Sequence, residues 1–191
     1  MKKLIILDRD GVINQDSDHF IKSVDEFMPI PGSLQAIARL TQANYSVMVA
    51  TNQSGIARGL FSIETLQAMH NKLQSLLAPL CGHIDGFYYC PHGPDDHCTC
   101  RKPKAGLITQ IAQDFYTGHD SAYQTEQLAQ VFVIGDSLRD LQAGRTAGTK
   151  IALLKTGKGV RSLQQIADQQ LSEYAQLVVY NDLADFTDHL L

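Results

Sequence analysis

Six short apolar runs punctuate the chain, at residues 4–7, 47–50, 87–89, 131–134, 151–154 and 177–180. They are continuous rather than alternating, the pattern of strands buried on both faces of a parallel sheet. Between them, apolar positions recur at helical spacing. Leu34, Ile37 and Leu40 share a face after Pro31-Gly32-Ser33. Leu66, Met69, Leu73, Leu76 and Leu77 share another after Ser62, which reads as an N-cap. Leu107, Ile108, Ile111 and Phe115 make a third stripe. Leu138 and Leu141 open a fourth, with Gly148 placed to end it. Ser162 and Gln165 have capping-box spacing ahead of Leu163, Ile166 and Ala167. Strand alternating with helix predicts a doubly wound, mostly parallel α/β sheet. Residues 11–32 and 90–103 remain as long loops. No repeat, low-complexity stretch or linker interrupts the pattern, so residues 1–191 read as a single domain.

Composition narrows the function more than the fold. The 191 residues are 44% hydrophobic and 19% charged, enough for a sizeable core and too apolar for disorder. The formal net charge of −4 argues against an extended nucleic-acid surface. It leaves room for a small phosphorylated ligand held by one or two local cations. Met1-Lys2-Lys3 followed by residues 4–7 faintly mimics an export signal, but the apolar stretch is short and ends in Asp8-Arg9-Asp10. No run approaches a membrane span. A cytoplasmic protein is expected.

Four groups of chemically able residues fall at the ends of predicted strands. Asp8 and Asp10 follow the first run, ahead of Gly11. Two carboxylates so close repel unless a cation offsets them, and a hard ion such as Mg²⁺ suits them. Aspartate can also attack a phosphoryl group. Thr51, Asn52, Gln53 and Ser54 follow the second run, ahead of Gly55, with hydroxyl and amide groups suited to phosphate oxygens and substrate. Arg101-Lys102-Pro103-Lys104 supplies cations for the same purpose. Asp136 follows the fourth run and can complete a Mg²⁺ site with Asp8, while Asp140 can hold the loop or cap a helix. Each signal has a bland reading as a polar turn. Together they fall at one rim of a parallel sheet, where strand ends converge.

A fifth group stands apart. Cys90, His92, Cys98 and Cys100 lie within eleven positions. Three thiolates and an imidazole suit closed, tetrahedral, structural Zn²⁺. A zinc loop over 90–100 would place the neighbouring Lys102. His97 is the weaker ligand beside Cys98, and Cys81 reads as a core thiol. His19, His70 and His83 show no partner spacing that marks a catalyst.

The four strand-end motifs, in this order, resemble the haloacid dehalogenase superfamily of phosphotransferases across nearly the whole chain. The resemblance implies a Rossmann-like core in which Asp8 is the nucleophile and Asp10 the general acid/base. It implies that Thr51 and Lys102 hold the phosphoryl oxygens, and that Mg²⁺ is bound by Asp8, Asp136 and the backbone carbonyl of Asp10. Because Asp10 must be protonated in the first step, neighbouring acids are expected to raise its pKa. The intervals between motifs leave no room for an inserted cap domain. Substrate choice then falls to loops 14–30 and 52–61 and to the zinc loop.

Within the superfamily, the runs 8–14 and 51–59 and the opening Cys90-Pro91-His92 are similar to a capless, zinc-bearing branch that acts on a heptose bisphosphate. The five-residue spacing between His92 and Cys98 also resembles a neighbouring branch acting on histidinol phosphate, whose members usually carry an acid where Ser54 stands. The first branch implies a small-molecule sugar bisphosphate as partner, cleaved at its 7-phosphate on the route to the lipopolysaccharide core. Its non-reacting phosphate would fall to Arg101, or after it Arg58. Asp16, Ser17, Asp18 and His19 would contact sugar hydroxyls. A monomer is expected, since no large apolar interface is evident. Two other classes compete: a receiver-type phosphoacceptor, against which Asp10 argues, and a zinc-bearing nucleic-acid module, against which the acidic balance argues.

Overall fold

A computed structural model describes residues 2–191; Met1 lies outside the described residues. The strands are β1 (Lys3–Leu7), β2 (Tyr45–Asn52), β3 (Gly86–Cys90), β4 (Phe132–Gly135), β5 (Lys150–Leu154) and β6 (Val178–Tyr180). They form one sheet in the order β3-β2-β1-β4-β5-β6, every neighbouring pair parallel. The helices are α1 (Ser33–Gln42), α2 (Ile63–Leu77), α3 (Gly106–Phe115), α4 (Ser121–Leu128), α5 (Leu138–Thr146), α6 (Gly159–Asp168) and α7 (Leu183–Leu190). The expected doubly wound sheet is present. Among the described residues no inserted cap interrupts it, and no helix is long and apolar enough to cross a membrane.

The continuous apolar runs have a direct cause. Side chains alternate across a strand. Ile5 and Leu7 enter the core on the face of α1, α2 and α7, while Leu4 and Ile6 enter the core beside α3. Val47 and Val49 likewise face one way, Met48 and Ala50 the other. Both faces are covered, so polar residues have no place until the strand ends. The strand order reverses between β1 and β4, the crevice where open α/β sheets bind ligands. Asp8 follows β1 there, and Asp136 follows β4.

Some local expectations change. Ser62 does cap α2, accepting from the Thr65 N–H at 3.2 Å. Ser162, by contrast, is no cap: α6 begins at Gly159, and the Ser162 hydroxyl donates to the Asp136 carbonyl at 2.9 Å. The interval between Lys102 and Asp136 holds two helices, because α4 carries only a weak apolar stripe that ends on Leu128. α7 begins after an Asp182 cap and buries Leu183 and Phe186. Leu76 turns off the buried face of α2, where Leu73 and Leu77 point inward. Cys81 is exposed rather than a core thiol, because the short 3₁₀ turn Ala78–Leu80 carries it outward at φ 56°.

Candidate active site

The floor of the site is made at the switch point. Gly11 has φ 82°, and a Cβ there would lie 2.0 Å from Asp136 Oδ2, so only glycine lets this turn meet the β4 loop. Asp8, Asp136 and Asp140 offer oxygens that all lie within 4.8 Å of one another. Lys102 enters from the loop after β3. Its buried ammonium stands 2.9 Å from Asp8 Oδ1 and 2.5 Å from Asp140 Oδ1, and donates to the Ala50 carbonyl at 2.8 Å. All three N–H donors are therefore engaged. Asp140, whose role was open, completes a capping box with Ser137 and locks the lysine.

The charges on this floor do not balance. One ammonium faces three carboxylates. Burial, then Asp140, raises the Asp8 pKa to about 7, against the pull of Lys102. Burial, Asp140 and Asp8 raise Asp136 to about 8, although the Lys158 N–H donates to its Oδ2 at 2.7 Å. Burial opposes a charged lysine, yet Asp140 and Asp8 outweigh it and push Lys102 up. The two negative charges left over match a divalent cation, and oxygen ligands at this spacing suit Mg²⁺. Asp8 and Asp136 are the oxygens free to hold it, since Asp140 is occupied by Lys102 and Ser137.

Asp10 behaves differently from the expectation. Burial acts to raise its pKa, but the Arg9 guanidinium and hydrogen bonds from Asn14, Arg9 and Gln53 outweigh it and hold the carboxyl below the usual range. The bonds are short: 2.8 Å from Asn14 Nδ2, 2.8 and 2.9 Å from Arg9 Nη2, and 2.9 Å from Gln53 Nε2. The sequence reading counted neighbouring acids and missed this ring of donors.

The loop after β2 supplies positioning as well as contact surface. Thr51 Oγ1 accepts from Gln53 Nε2 at 2.9 Å, which leaves its O–H free to donate. Gln53 thus spends its amide on Asp10 and Thr51. Asn52 brackets the lysine backbone, accepting from Lys102 N and donating to Lys102 O, both at 3.0 Å. Both amides thus hold Asp10, Thr51 and Lys102, and both residues also line the cleft where substrate contact was expected. Ser54 lines the cleft and is nearly buried.

Cys90, His92, Cys98 and Cys100 converge as a second cluster. The Cys90 and Cys98 sulfurs are 3.6 Å apart, and His92 Nδ1 is 3.3 Å from the Cys100 sulfur. Ligands about 2.3 Å from one tetrahedral centre stand roughly 3.8 Å apart, so the set fits Zn²⁺ with slight expansion. His97 lies outside the cluster. The loop is tied to the segment that carries Lys102: Arg101 Nη1 donates to the His92 carbonyl at 3.1 Å and Lys104 Nζ to that of Cys98 at 2.5 Å.

A cleft of about 310 Å³ opens above the floor, with Asp16, Ser17, Asp18, Arg58 and Arg101 in its walls. His19 is exposed and absent from that lining. His70 is buried against Phe87, its ring centroid 4.1 Å away, and burial lowers its pKa to about 4. His83 lies beside Asp85 at 3.5 Å. The sequence reading missed Arg139 and Lys158 in the cleft walls. Both were reachable: Arg139 lies inside the motif around Asp136, and Lys158 follows a fifth apolar run.

A parallel sheet with these groups at one rim is the arrangement of a hydrolase with the haloacid dehalogenase core. Comparison with known proteins agrees. The HAD-hydrolase-like family matches residues 99–186. A D-glycero-beta-D-manno-heptose-1,7-bisphosphate 7-phosphatase of Bordetella bronchiseptica is 55% identical over 163 residues, 85% of this chain and 86% of that protein. One of Pseudomonas aeruginosa is 48% identical over 190 residues, covering 100% of this chain and 98% of its own. The crystal structure of D,D-heptose 1,7-bisphosphate phosphatase from B. bronchiseptica, complexed with magnesium and phosphate, superposes with a TM-score of 0.85 at 49% identity, covering 98% of this chain and 97% of that one. The chain belongs to the HAD-like hydrolase family.

Proposed function

We propose that this chain, acting as one domain over residues 1–191, is a magnesium-dependent phosphatase. Its substrate is D-glycero-D-manno-heptose 1,7-bisphosphate, cleaved at the 7-phosphate in the supply of lipopolysaccharide core precursors. The observation that carries the reading is the floor itself: Asp8 and Asp136 oxygens within 4.8 Å, with the Lys102 ammonium 2.9 Å from Asp8. Relatives of this name and near-complete coverage support the substrate. The enzyme works as a cytoplasmic monomer on a small molecule, without nucleic acid or membrane.

Asp8 attacks phosphorus in line and forms an aspartyl-phosphate. The free Thr51 O–H holds one phosphoryl oxygen, and Lys102 holds another by exchanging its contact with Asp8 for one with the incoming group. Asp8, Asp136 and the Asp10 carbonyl would hold a magnesium ion, which would supply the positive charge that lets an anionic nucleophile approach an anionic phosphate. Asp10 protonates the leaving alkoxide, then takes a proton from the water that hydrolyses the intermediate. The donors around Asp10 favour the ionised form needed for the second half. An incoming phosphoryl group adds negative charge nearby and raises the pKa for the first half. At the rim, burial first and then Arg139 push the Arg101 pKa down, against the pull of Cys90 and Cys98, with Arg58 adding least; the three guanidinium groups line one cleft. This crowd suits the non-reacting phosphate, with Arg101 first, Arg58 next, and Arg139 added by the geometry.

The test is a phosphatase panel of the heptose bisphosphate, fructose 1,6-bisphosphate and histidinol phosphate. Preference for the heptose bisphosphate supports the reading; preference for fructose 1,6-bisphosphate or for histidinol phosphate, the alternative that the short zinc loop also resembles, overturns it.

A further inference from the structure

The turn Thr156-Gly157-Lys158, after β5, reaches the site at two levels. At the floor, the Lys158 N–H donates to Asp136 Oδ2 at 2.7 Å, and the Thr156 hydroxyl donates to the Gly11 carbonyl at 2.6 Å. At the wall, the Lys158 ammonium turns the other way and stands 2.8 Å from Asp16 Oδ2. Both side chains line the cleft. They are 28% and 16% exposed, so the pair is partly withdrawn from water. Asp18, 3.9 Å from the same ammonium and 3.5 Å from Arg161, is 65% exposed, so its two ion pairs are solvated and hold little.

An ammonium has three N–H donors and a carboxylate several lone-pair sites, and their mutual contact uses only part of each. The pair therefore offers the cleft a fixed donor beside a fixed acceptor. Two adjacent hydroxyls present the complementary acceptor and donor. The charges within the pair offset each other, so it has no net pull on a phosphate. In this it differs from Arg58, Arg101 and Arg139, which crowd the same cleft.

We propose that Lys158 and Asp16 form a diol-reading pair that recognises neighbouring hydroxyls of the polyol beside the scissile phosphate. The proposal rests on the assignment of a sugar bisphosphate as substrate. Lys158 is thereby a specificity-determining residue, with its main chain serving Asp136 and its side chain serving the sugar.

The experiment compares the heptose bisphosphate with p-nitrophenyl phosphate, which has no hydroxyls, on the wild type, Lys158→Met, Lys158→Arg and Asp16→Asn. With the sugar, Lys158→Met is expected to lower kcat/KM by about tenfold to a hundredfold, mostly through KM. With p-nitrophenyl phosphate the change should stay within about threefold. Lys158→Arg should recover part of the loss, and Asp16→Asn should repeat it. The Mg²⁺ concentration for half activity, and Mg²⁺-induced thermal stabilisation, should not move in Lys158→Met, because a main-chain N–H serves Asp136. Equal losses on both substrates, or a shifted Mg²⁺ requirement, overturn the proposal by placing the side chain in the reaction centre. A wild-type sugar preference that survives Lys158→Met overturns the pair alone. A wild type without any preference for the sugar bisphosphate overturns the functional assignment, and the pair with it.

Discussion

The floor and the rim of the cleft are built by different rules. On the floor, Lys102, Thr51, Asp136 and Asp140 are buried, and each is fixed by bonds to buried or half-buried groups. At the rim, Arg58 and Arg139 are exposed, and Arg58 rests on the Phe20 ring at 5.7 Å. Burial strengthens every charge interaction on the floor and makes an unpaired charge there costly. Exposure weakens the same interactions at the rim, where side chains can rearrange around a ligand. The proposed function therefore assigns chemistry to the rigid floor and substrate choice to the adaptable rim.

That contrast predicts effects of different size. The largest falls on the proposed nucleophile: Asp8→Asn should lower kcat by at least roughly 10³-fold with the fold retained, checked by steady-state kinetics and circular dichroism. Lys102→Met comes next. It removes a phosphoryl donor worth roughly 10²–10³ in kcat and leaves Asp8 and Asp140 unpaired, so melting temperature should fall as well. A change confined to activity would mean that the floor tolerates its bare acids. Third, Cys100→Ser should abolish about one equivalent of bound zinc, measured by atomic absorption, and reduce activity by about tenfold to a hundredfold through the loop that carries Lys102. At the rim, Arg101→Met should raise KM for the bisphosphate by about tenfold while leaving a monophosphate little changed.

The smallest effect concerns stability alone. His70 has its pKa lowered by burial to about 4, against 6.5 for the free side chain. A base with a depressed folded pKa adds stability fully present above 6.5 and lost as pH falls toward 4, because the unfolded chain takes up the proton first. Thermal melts of His70→Gln should therefore show a shallower loss of stability between those values. The difference is at most about 3 kcal/mol.

The same contrast separates what was legible in the sequence from what was not. Runs such as residues 4–7 read correctly because burial on both faces leaves a one-dimensional trace. The acids stood out because polar residues appear abruptly where such runs stop, whereas Lys102, twelve residues past β3, stood out through the basic run 101–104. The Cys/His loop was legible because spacing alone brings its ligands together. Partnerships across the fold were not. Asn52 bracketing Lys102, fifty positions away, and Gln53 holding Asp10, forty-three away, leave no local pattern. The direction of the Asp10 shift failed only partly for this reason: Gln53 is distant, but Arg9 is adjacent and Asn14 four residues on, and what the sequence hides is that both turn their donors onto the carboxylate. Ser162 looked like a cap because its spacing fits one, but the first turn of α6 starts before it to reach Asp136.

The most direct test of the account is acid quenching of the enzyme during turnover of a substrate labelled in its 7-phosphoryl group, followed by peptide mapping. The account predicts a label on the peptide carrying Asp8, released by hydroxylamine, dependent on Mg²⁺, and missing in Asp8→Asn. Phosphate release with no labelled protein, in an enzyme whose Asp8→Asn variant keeps substantial activity, would contradict it.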